Sequence, residues 1–288
     1  MSVVRRIALL ATLMMFPAAG AGQAGSTAPG QVALTYRVFL GGVPVVEVDT
    51  RTIVDAQRYR MDSLTRTIGL WEGMFKARMQ SRVDGVLAGS KVEPLLYQIR
   101  YDGRVGKRRS IDVTFGDNGP TMVHTVPDNA EDGRKPVEPE FLVGAIDPAS
   151  AAIMATSASS DGELCHGGYK IFDGRRRYDV AFDNQGADTL DGHGDFYSGE
   201  ALHCQVQYRR VKGFDPDWER SEAKKFPNTI DVWFVRLPGL PRAVPVKVAV
   251  NTEFGVVVAQ MVDHVTGPGE SLGDAAYLPP PDRDKMGG

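Results

Sequence analysis

The sequence predicts a mainly β protein: one large curved antiparallel sheet, closing partly or fully into a barrel-like shape, with one short helix packed on or inside it. Three observations lead there. Apolar and polar residues alternate with period two rather than 3.6 through most of residues 31–268. Turn residues recur between these runs, as a meander requires. A helix start signal at Asp147 opens an Ala-rich run that breaks the β pattern.

Taken in order, Val46, Val48, Thr50, Thr52 and Val54 line one face of a strand, Tyr97, Ile99 and Tyr101 do so on another, and Ile111, Val113 and Phe115 on a third. Turns are expected at Gly41-Gly42, Asp84-Gly85, Asp102-Gly103 and Asp117-Asn118-Gly119. Residues 127–140, with three prolines and mixed charges, read as an irregular connection. Asp147 can cap a helix whose first turn suits Pro148 and which runs to about Ser157. Packing against the concave face of the sheet and service as an exposed connector fit it equally well.

Strands resume near His166. Phe172-Asp173-Gly174-Arg175 predicts a hairpin, because Asp-Gly supplies the positive φ angles of a two-residue turn. After it, Tyr178, Val180 and Phe182 share one face, while Arg175, Arg177, Asp179 and Asp183 share the other. Arg176 falls on the apolar face. Inside a barrel its guanidinium needs a carboxylate or a ligand anion; at a rim it simply reaches water, which is the favoured reading. Leu202, Cys204, Val206 and Tyr208 alternate inward, and residues 214–227 form a long polar loop holding Trp218. Strands over 232–236, 243–252 and 256–265 complete the sheet, the last two apolar on both faces as strands covered on each side would be. The expected organisation is a signal peptide over residues 1–21, a flexible stretch over 22–30, one β-rich domain over 31–268 and a disordered tail over 269–288 with Pro279-Pro280-Pro281.

The 288 residues are 42% hydrophobic and 24% charged, with 32 Gly, 18 Pro and two Cys, which excludes a disordered, collagen-like or disulfide-dense chain. Arg5 and Arg6 precede an apolar run over residues 7–16, too short to span ~30 Å of hydrocarbon. With Ala19-Gly20-Ala21 after it, and Ala24 as a second cut, this reads as a cleaved signal peptide and an exported, periplasmic address. No Cys near the cut offers a lipid anchor. Removing residues 1–21 takes away two Arg and no acid, which moves the formal charge from −3 to −5. That balance disfavours nucleic acid or an anionic membrane surface as a partner, since both reward concentrated Lys and Arg, and no integral membrane span is expected in the mature chain.

Cys165 and Cys204 are the two cysteines, and an oxidising compartment makes their pairing the simplest reading. His166 and His203 sit beside them and invite a Cys2His2 zinc site. Neighbours on a strand point to opposite faces, however, so the four side chains converge poorly. Free or intermolecular thiols are the remaining alternative.

Leu34-Thr35-Tyr36-Arg37-Val38 with Gly41-Gly42, then Thr67-Ile68-Gly69-Leu70, Glu93-Pro94, Ile146-Asp147-Pro148-Ala149-Ser150, Ile171 to Asp179, Tyr197-Ser198-Gly199, Trp233 and Val244-Pro245-Val246 make up a recognisable pattern. It is similar to that of the exported bacterial proteins labelled domain of unknown function 3108 (DUF3108). The most specific part is Phe172-Asp173-Gly174-Arg175-Arg176-Arg177-Tyr178-Asp179, flanked by the two cysteines. The resemblance implies a secreted or periplasmic β-rich protein with Cys165 joined to Cys204, and it carries over no catalytic residues.

Catalytic motifs give little. Gly269-Glu270-Ser271-Leu272-Gly273 fits G-x-S-x-G, but the prolines from 279 stop the following helix and no His comes after Ser271. Ser221-Glu222-Ala223-Lys224 fits S-x-x-K without its companion motifs. No H-E-x-x-H or phosphate-cradling Gly-rich loop is present, and Gly20 to Gly25 fits G-x-G-x-x-G across the signal cut. Asp188, Asp191, His193 and Asp195 resemble a calcium loop in composition but lack its terminal Glu, and a solvated turn is the simpler reading. No metal or cofactor is therefore expected. Leu70-Trp71-Glu72-Gly73-Met74-Phe75 is more informative, since it puts four large apolar side chains in an expected bend. Leu70, Trp71, Met74, Phe75, Arg176 and Tyr178 are the ligand-binding candidates, with a cover for the core as the alternative role of the 70–75 segment. The leading expectation is a non-catalytic periplasmic binding or cell-envelope maintenance protein that accepts a lipid or another apolar molecule. The alternatives are a protein–protein interaction module of the envelope and, below it, a hydrolase of envelope polymers using acids such as Asp173 or Asp195.

Overall fold

The computed structural model describes residues 30–268 except 55–57, 89–90, 104–107, 157–163, 215–228, 239, 241 and 253–254. The signal segment, most of the 214–227 loop, the tail and both serine motifs lie outside the described residues. Seven strands follow one another: β1 (Gly30–Leu40), β2 (Val43–Val54), β3 (Arg58–Thr67), β4 (Arg78–Ala88), β5 (Lys91–Asp102), β6 (Arg108–Gly116) and β7 (Gly119–Val126). Helix α1 (Leu70–Phe75) lies between β3 and β4, where a bend was expected. Then come α2 (Pro139–Leu142) and α3 (Pro148–Ala155), and six more strands: β8 (Gly168–Phe172), β9 (Arg177–Leu190), β10 (Gly199–Lys212), β11 (Thr229–Val235), β12 (Val244–Thr252) and β13 (Gly255–Pro268).

All thirteen strands form one antiparallel sheet, ordered β7-β6-β5-β4-β3-β2-β1-β13-β12-β11-β10-β9-β8. Pairing of β1 with β13 joins two meanders, so the sheet curls into a nearly closed barrel with β7 and β8 at its seam. The connection between these two strands bridges the seam. Ile146 donates its N–H to Lys170 O at 2.9 Å and accepts from Phe172 N at 2.9 Å, while Gly144 N donates to Asn118 O at 2.8 Å.

The expected faces hold: Val46, Val48, Thr50, Thr52 and Val54 are all buried, as are Tyr97, Ile99, Val113 and Phe115, while Tyr101 and Ile111 are half-buried against the core. The opposite face of β1–β6 carries cross-strand ion pairs, among them Arg37–Glu47 (3.4 Å), Arg60–Asp84 (2.6 Å), Arg82–Asp62 (2.8 Å) and Arg100–Asp112 (2.6 Å). Two expectations need correction. Asp84-Gly85 is no turn: β4 runs through it, with a register shift between the two residues against β5. A glycine is needed there because a Cβ would lie 2.2 Å from Tyr59 Oη, whose ring covers the bulge. Nor is β13 covered on both sides, since Val256 and Val265 are exposed.

Helix α3 lies inside the barrel against β4, β5 and β8. Its composition explains how. Ala149, Ser150, Ala151, Ala152, Ile153 and Ala155 are all buried, and a helix enclosed on every side must be small-sided and apolar all round. Ala149 and Ile153 pack into one core cluster with Met61, Tyr97 and Val113, while Ala151 and Ala152 join the other with Leu34, Val48 and Cys165. The helix thus joins the two halves of the core.

Cys165 and Cys204 are buried and paired, with Cα atoms 5.7 Å apart, within the usual range of a disulfide. The bridge ties the chain entering β8 to β10 across β9. Closing a loop with a sequence separation of 39 stabilises the fold by about 4 kcal/mol in the chain-entropy model. Replacing both cysteines by Ser is therefore expected to lower the unfolding free energy by about 3–4 kcal/mol in urea titrations. Gly85→Ala is expected to cost a further ~1–3 kcal/mol in the same assay, through overpacking against Tyr59.

Candidate functional site

The β1–β2, β3–β4, β8–β9 and β12–β13 connections all fall at the same end of the barrel, here called the α1 end. Inside that end sits the turn between β8 and β9, which is offset by one residue from the expected hairpin. Gly174 and Arg175 are its central residues, closed by Asp173 N donating to Arg176 O at 3.2 Å, and Gly174 takes the positive φ of 86°. A Cβ on Gly174 would meet Ile111 Cγ2 at 2.2 Å, so the turn folds tightly onto β6.

Asp173 organises the turn. Its buried Oδ1 accepts from Arg175 N (3.0 Å) and Arg176 N (2.7 Å), and its Oδ2 accepts from Arg176 Nε (2.7 Å). Arg176 therefore does not reach freely into water, as the sequence favoured; it is held inward by a carboxylate, the alternative the alternation allowed. Burial opposes its charge, but Asp173 holds its pKa above the ordinary arginine range. The two flanking arginines have separate tasks. Arg175 donates to Pro127 O (2.6 Å) and Asn129 Oδ1 (3.1 Å), and Arg177 donates to Phe141 O (2.9 Å) and pairs with Asp179 (2.6 Å). Burial draws Arg175 down to about 10.

Around this pair lie tyrosines. Tyr178 packs against Tyr208 at 4.8 Å between centroids, and burial, then the Asp173 charge, push Tyr97 and Tyr178 well above the usual phenol range. Tyr97 Oη is buried without a hydrogen-bond partner among the described residues. Deeper in, Asp147 caps α3. Its Oδ1 accepts from Ala149 N and Ser150 N, both at 2.9 Å, and its Oδ2 from Ser150 Oγ, which also meets Tyr59 Oη at 2.6 Å. Burial raises the Asp147 carboxyl to about 6 despite these hydrogen bonds. At the seam, Asp132 takes a two-pronged bond from Arg109 (2.8 and 2.9 Å) and another from Arg134 (2.9 Å). Burial opposes its charge, but these donors prevail and bring it down to about 2.

The candidate residues therefore separate into two groups. Tyr178 is buried, and Arg176 is partly so. On α1, Leu70 is 89% exposed and Trp71 is half-buried against the core, while the side chains of Met74 and Phe75 lie outside the described residues. Asp195 is exposed and Asp173 is buried in its ion pair, so these two acids do not face each other across a cleft. Asp188, from the calcium-like stretch, lies on β9 and accepts from Trp233 Nε1 at 2.7 Å. Among the described residues, no group of three His, Cys, Asp or Glu is placed to hold a metal ion. Sequence reasoning missed Tyr59, Tyr97, Ser150 and Asp132 as site residues. The inward alternation of β5 signalled Tyr97, whereas nothing local signalled that the α3 cap would be buried.

Two outcomes follow. Arg176→Met leaves Asp173 buried without its counter-charge and is expected to cost about 3–5 kcal/mol by denaturant titration, with part recovered when Asp173→Asn is added. For Asp147, the folded value of about 6 exceeds its ordinary 3.8. Its contribution is complete below pH 3.8 and is lost as pH rises through about 6, a loss of about 3 kcal/mol. Asp147→Asn removes that dependence, so its stability relative to the parent is expected to rise by about 3 kcal/mol between pH 3.5 and pH 7.

A family model, "Protein of unknown function (DUF3108)", matches residues 35–262. No curated protein is significantly similar in sequence. Among solved structures, a beta-barrel-like protein of domain of unknown function DUF1849 from Brucella abortus is 8% identical, with 84% of this chain and 99% of that one covered at a TM-score of 0.45. The hypothetical protein CT021 from Chlamydia trachomatis is also 8% identical, with 88% and 94% covered and a TM-score of 0.29. With the family model spanning most of its length, the chain belongs to the DUF3108 family.

Proposed function

We propose that this is an exported, non-catalytic binding protein of the cell envelope that accepts a lipid or another apolar molecule at the α1 end of its barrel. The observation that carries this reading is the continuity from Leu70, on the surface, through half-buried Trp71 to the core. Soluble chains normally keep large aliphatic side chains out of such a position unless they meet something. Because α3 occupies the interior, the ligand is held at that end rather than along the whole barrel axis. The segment over residues 1–21 supports export, and the ion pairs on the outer face of β1–β6 suit a wall that faces water. The acids Asp132, Asp147 and Asp173 each serve a structural bond, which favours binding over catalysis.

A second reading, an interaction module, draws on edge strand β7, where Met122 is 63% exposed. The two are separated by extracting the purified mature protein and analysing the extract by mass spectrometry. One apolar compound at near-equal molar ratio is expected. An extract free of such a compound, together with reproducible crosslinking in cells of one protein through β7, would replace the first reading with the second.

A further inference from the structure

We infer that the α1 end is also a docking surface for the interfacial layer of a lipid bilayer carrying anionic head groups. This rests on the envelope reading above, but not on a ligand being held within the barrel. Three neighbouring segments build the rim. The start of β2 supplies Val43, α1 supplies Leu70, and the start of β13 supplies Val256, exposed by 47%, 89% and 45%. They are physically joined: Gly41 N donates to Val256 O at 3.3 Å, Ile68 N donates to Val45 O at 3.1 Å, and Gly69 lies against the Pro44 carbonyl. Gly41, Gly42, Gly69, Gly73 and Gly255 fill the spaces between, all exposed and without polar side chains.

The size of the rim selects its occupant. Its three apolar side chains amount to roughly two fully exposed aliphatic groups, on the order of 300 Å². A stable protein–protein interface takes about 800 Å² from each partner, a little over half of it apolar, which is more than the three side chains described here offer. A bilayer asks for less. A few protruding apolar side chains enter the boundary between head groups and acyl chains, while basic residues beside them meet anionic head groups. The net charge of the chain disfavours an anionic surface as a whole, but locally Lys76 and Arg78 follow α1 directly, both exposed, with Glu72 the one acid within the helix. Half-buried Trp71 stands behind Leu70, a residue type suited to that boundary. The outer face of β1–β6 bears ion pairs, so the barrel would rest on the membrane by its end and not insert its wall.

Flotation of the mature protein with vesicles tests this. Phosphatidylcholine vesicles containing about one third phosphatidylglycerol are expected to carry the protein upward, and pure phosphatidylcholine vesicles several-fold less. Leu70→Asp is expected to reduce flotation at least tenfold, and Lys76→Glu several-fold and only on the anionic vesicles. Leu70 is almost wholly exposed, so its variant should keep the parental near-ultraviolet circular dichroism and melting temperature. Parental protein that stays at the bottom with both vesicle types overturns the inference, as does a Leu70→Asp variant that floats like the parent. Concentration-dependent dimerisation abolished by Leu70→Asp, with no flotation, reassigns the rim to contacts between copies and overturns it as well. The two readings fail separately: an apolar compound in the extract without flotation removes docking alone, and flotation with an empty extract removes the ligand alone.

Discussion

The structure depends on placing a helix where water does not reach. Both ends of α3 carry backbone groups that the helix itself cannot satisfy, and inside a barrel no solvent stands in for the missing partners. Asp147 meets the N-terminal groups through Ala149 and Ser150. At the other end Thr156 Oγ1 donates to Ala152 O and Ile153 O, and buried Arg242 donates to Ile153 O at 3.2 Å, a cation suited to a helix C-terminus. Ser150 then passes the cap on to Tyr59 of β3, so the helix is joined to the wall as well as packed against it. The same enclosure dictates the composition: a large side chain along α3 would overpack one of the two core clusters it touches.

A sheet whose edge strands do not pair must seal its seam by other means, and here arginines do so. In the run Asp173-Gly174-Arg175-Arg176-Arg177 each guanidinium goes a different way: Arg175 to the carbonyl of Pro127 across the seam, Arg176 back to its own turn, Arg177 to the carbonyl of Phe141 in α2. Lys cannot offer a planar fork of donors to several acceptors at once, so the chemistry of the run is specific to Arg. Arg109 of β6 and Arg134 of the connection add a second fastening on Asp132, and Arg134 also reaches Gly213 O beyond β10. The most specific stretch of the sequence is thus the stretch that closes the barrel. Its conspicuous charges need no substrate to explain them.

That helps to define what could be read in the chain beforehand. Period-two alternation assigned inward faces from Val46 to Val54 and around Tyr97 because each strand has one dry side, and alternation records dryness directly. The Asp147 cap was legible because capping is local. What failed depended on a distant partner. Asp84-Gly85 has the composition of a turn, but Gly85 is there to admit the ring of Tyr59. Arg176 lies near the start of a strand, where water is the ordinary destination, and the carboxylate that holds it inward is three residues away in a turn displaced by one position. Leu70 to Phe75 was legible as a misplaced apolar group, though the helical backbone that presents it was not.

The distribution of charge and apolar surface bears on function in the same way. Asp132 is held ionised by its arginines, Asp147 is raised by burial, and Asp173 is engaged by Arg176 and two backbone N–H groups. A general acid or base has to exchange its proton with a substrate, and each of these carboxyls instead holds the fold together. In the binding role proposed above, recognition falls to surfaces that the fold does not consume. The outer face of β1–β6 is taken up by ion pairs and the interior by α3, whereas the rim at the α1 end and edge strand β7 keep exposed apolar side chains. At the α1 end Leu70 is 89% exposed, and an apolar environment brought to it from outside is what would make that exposure favourable.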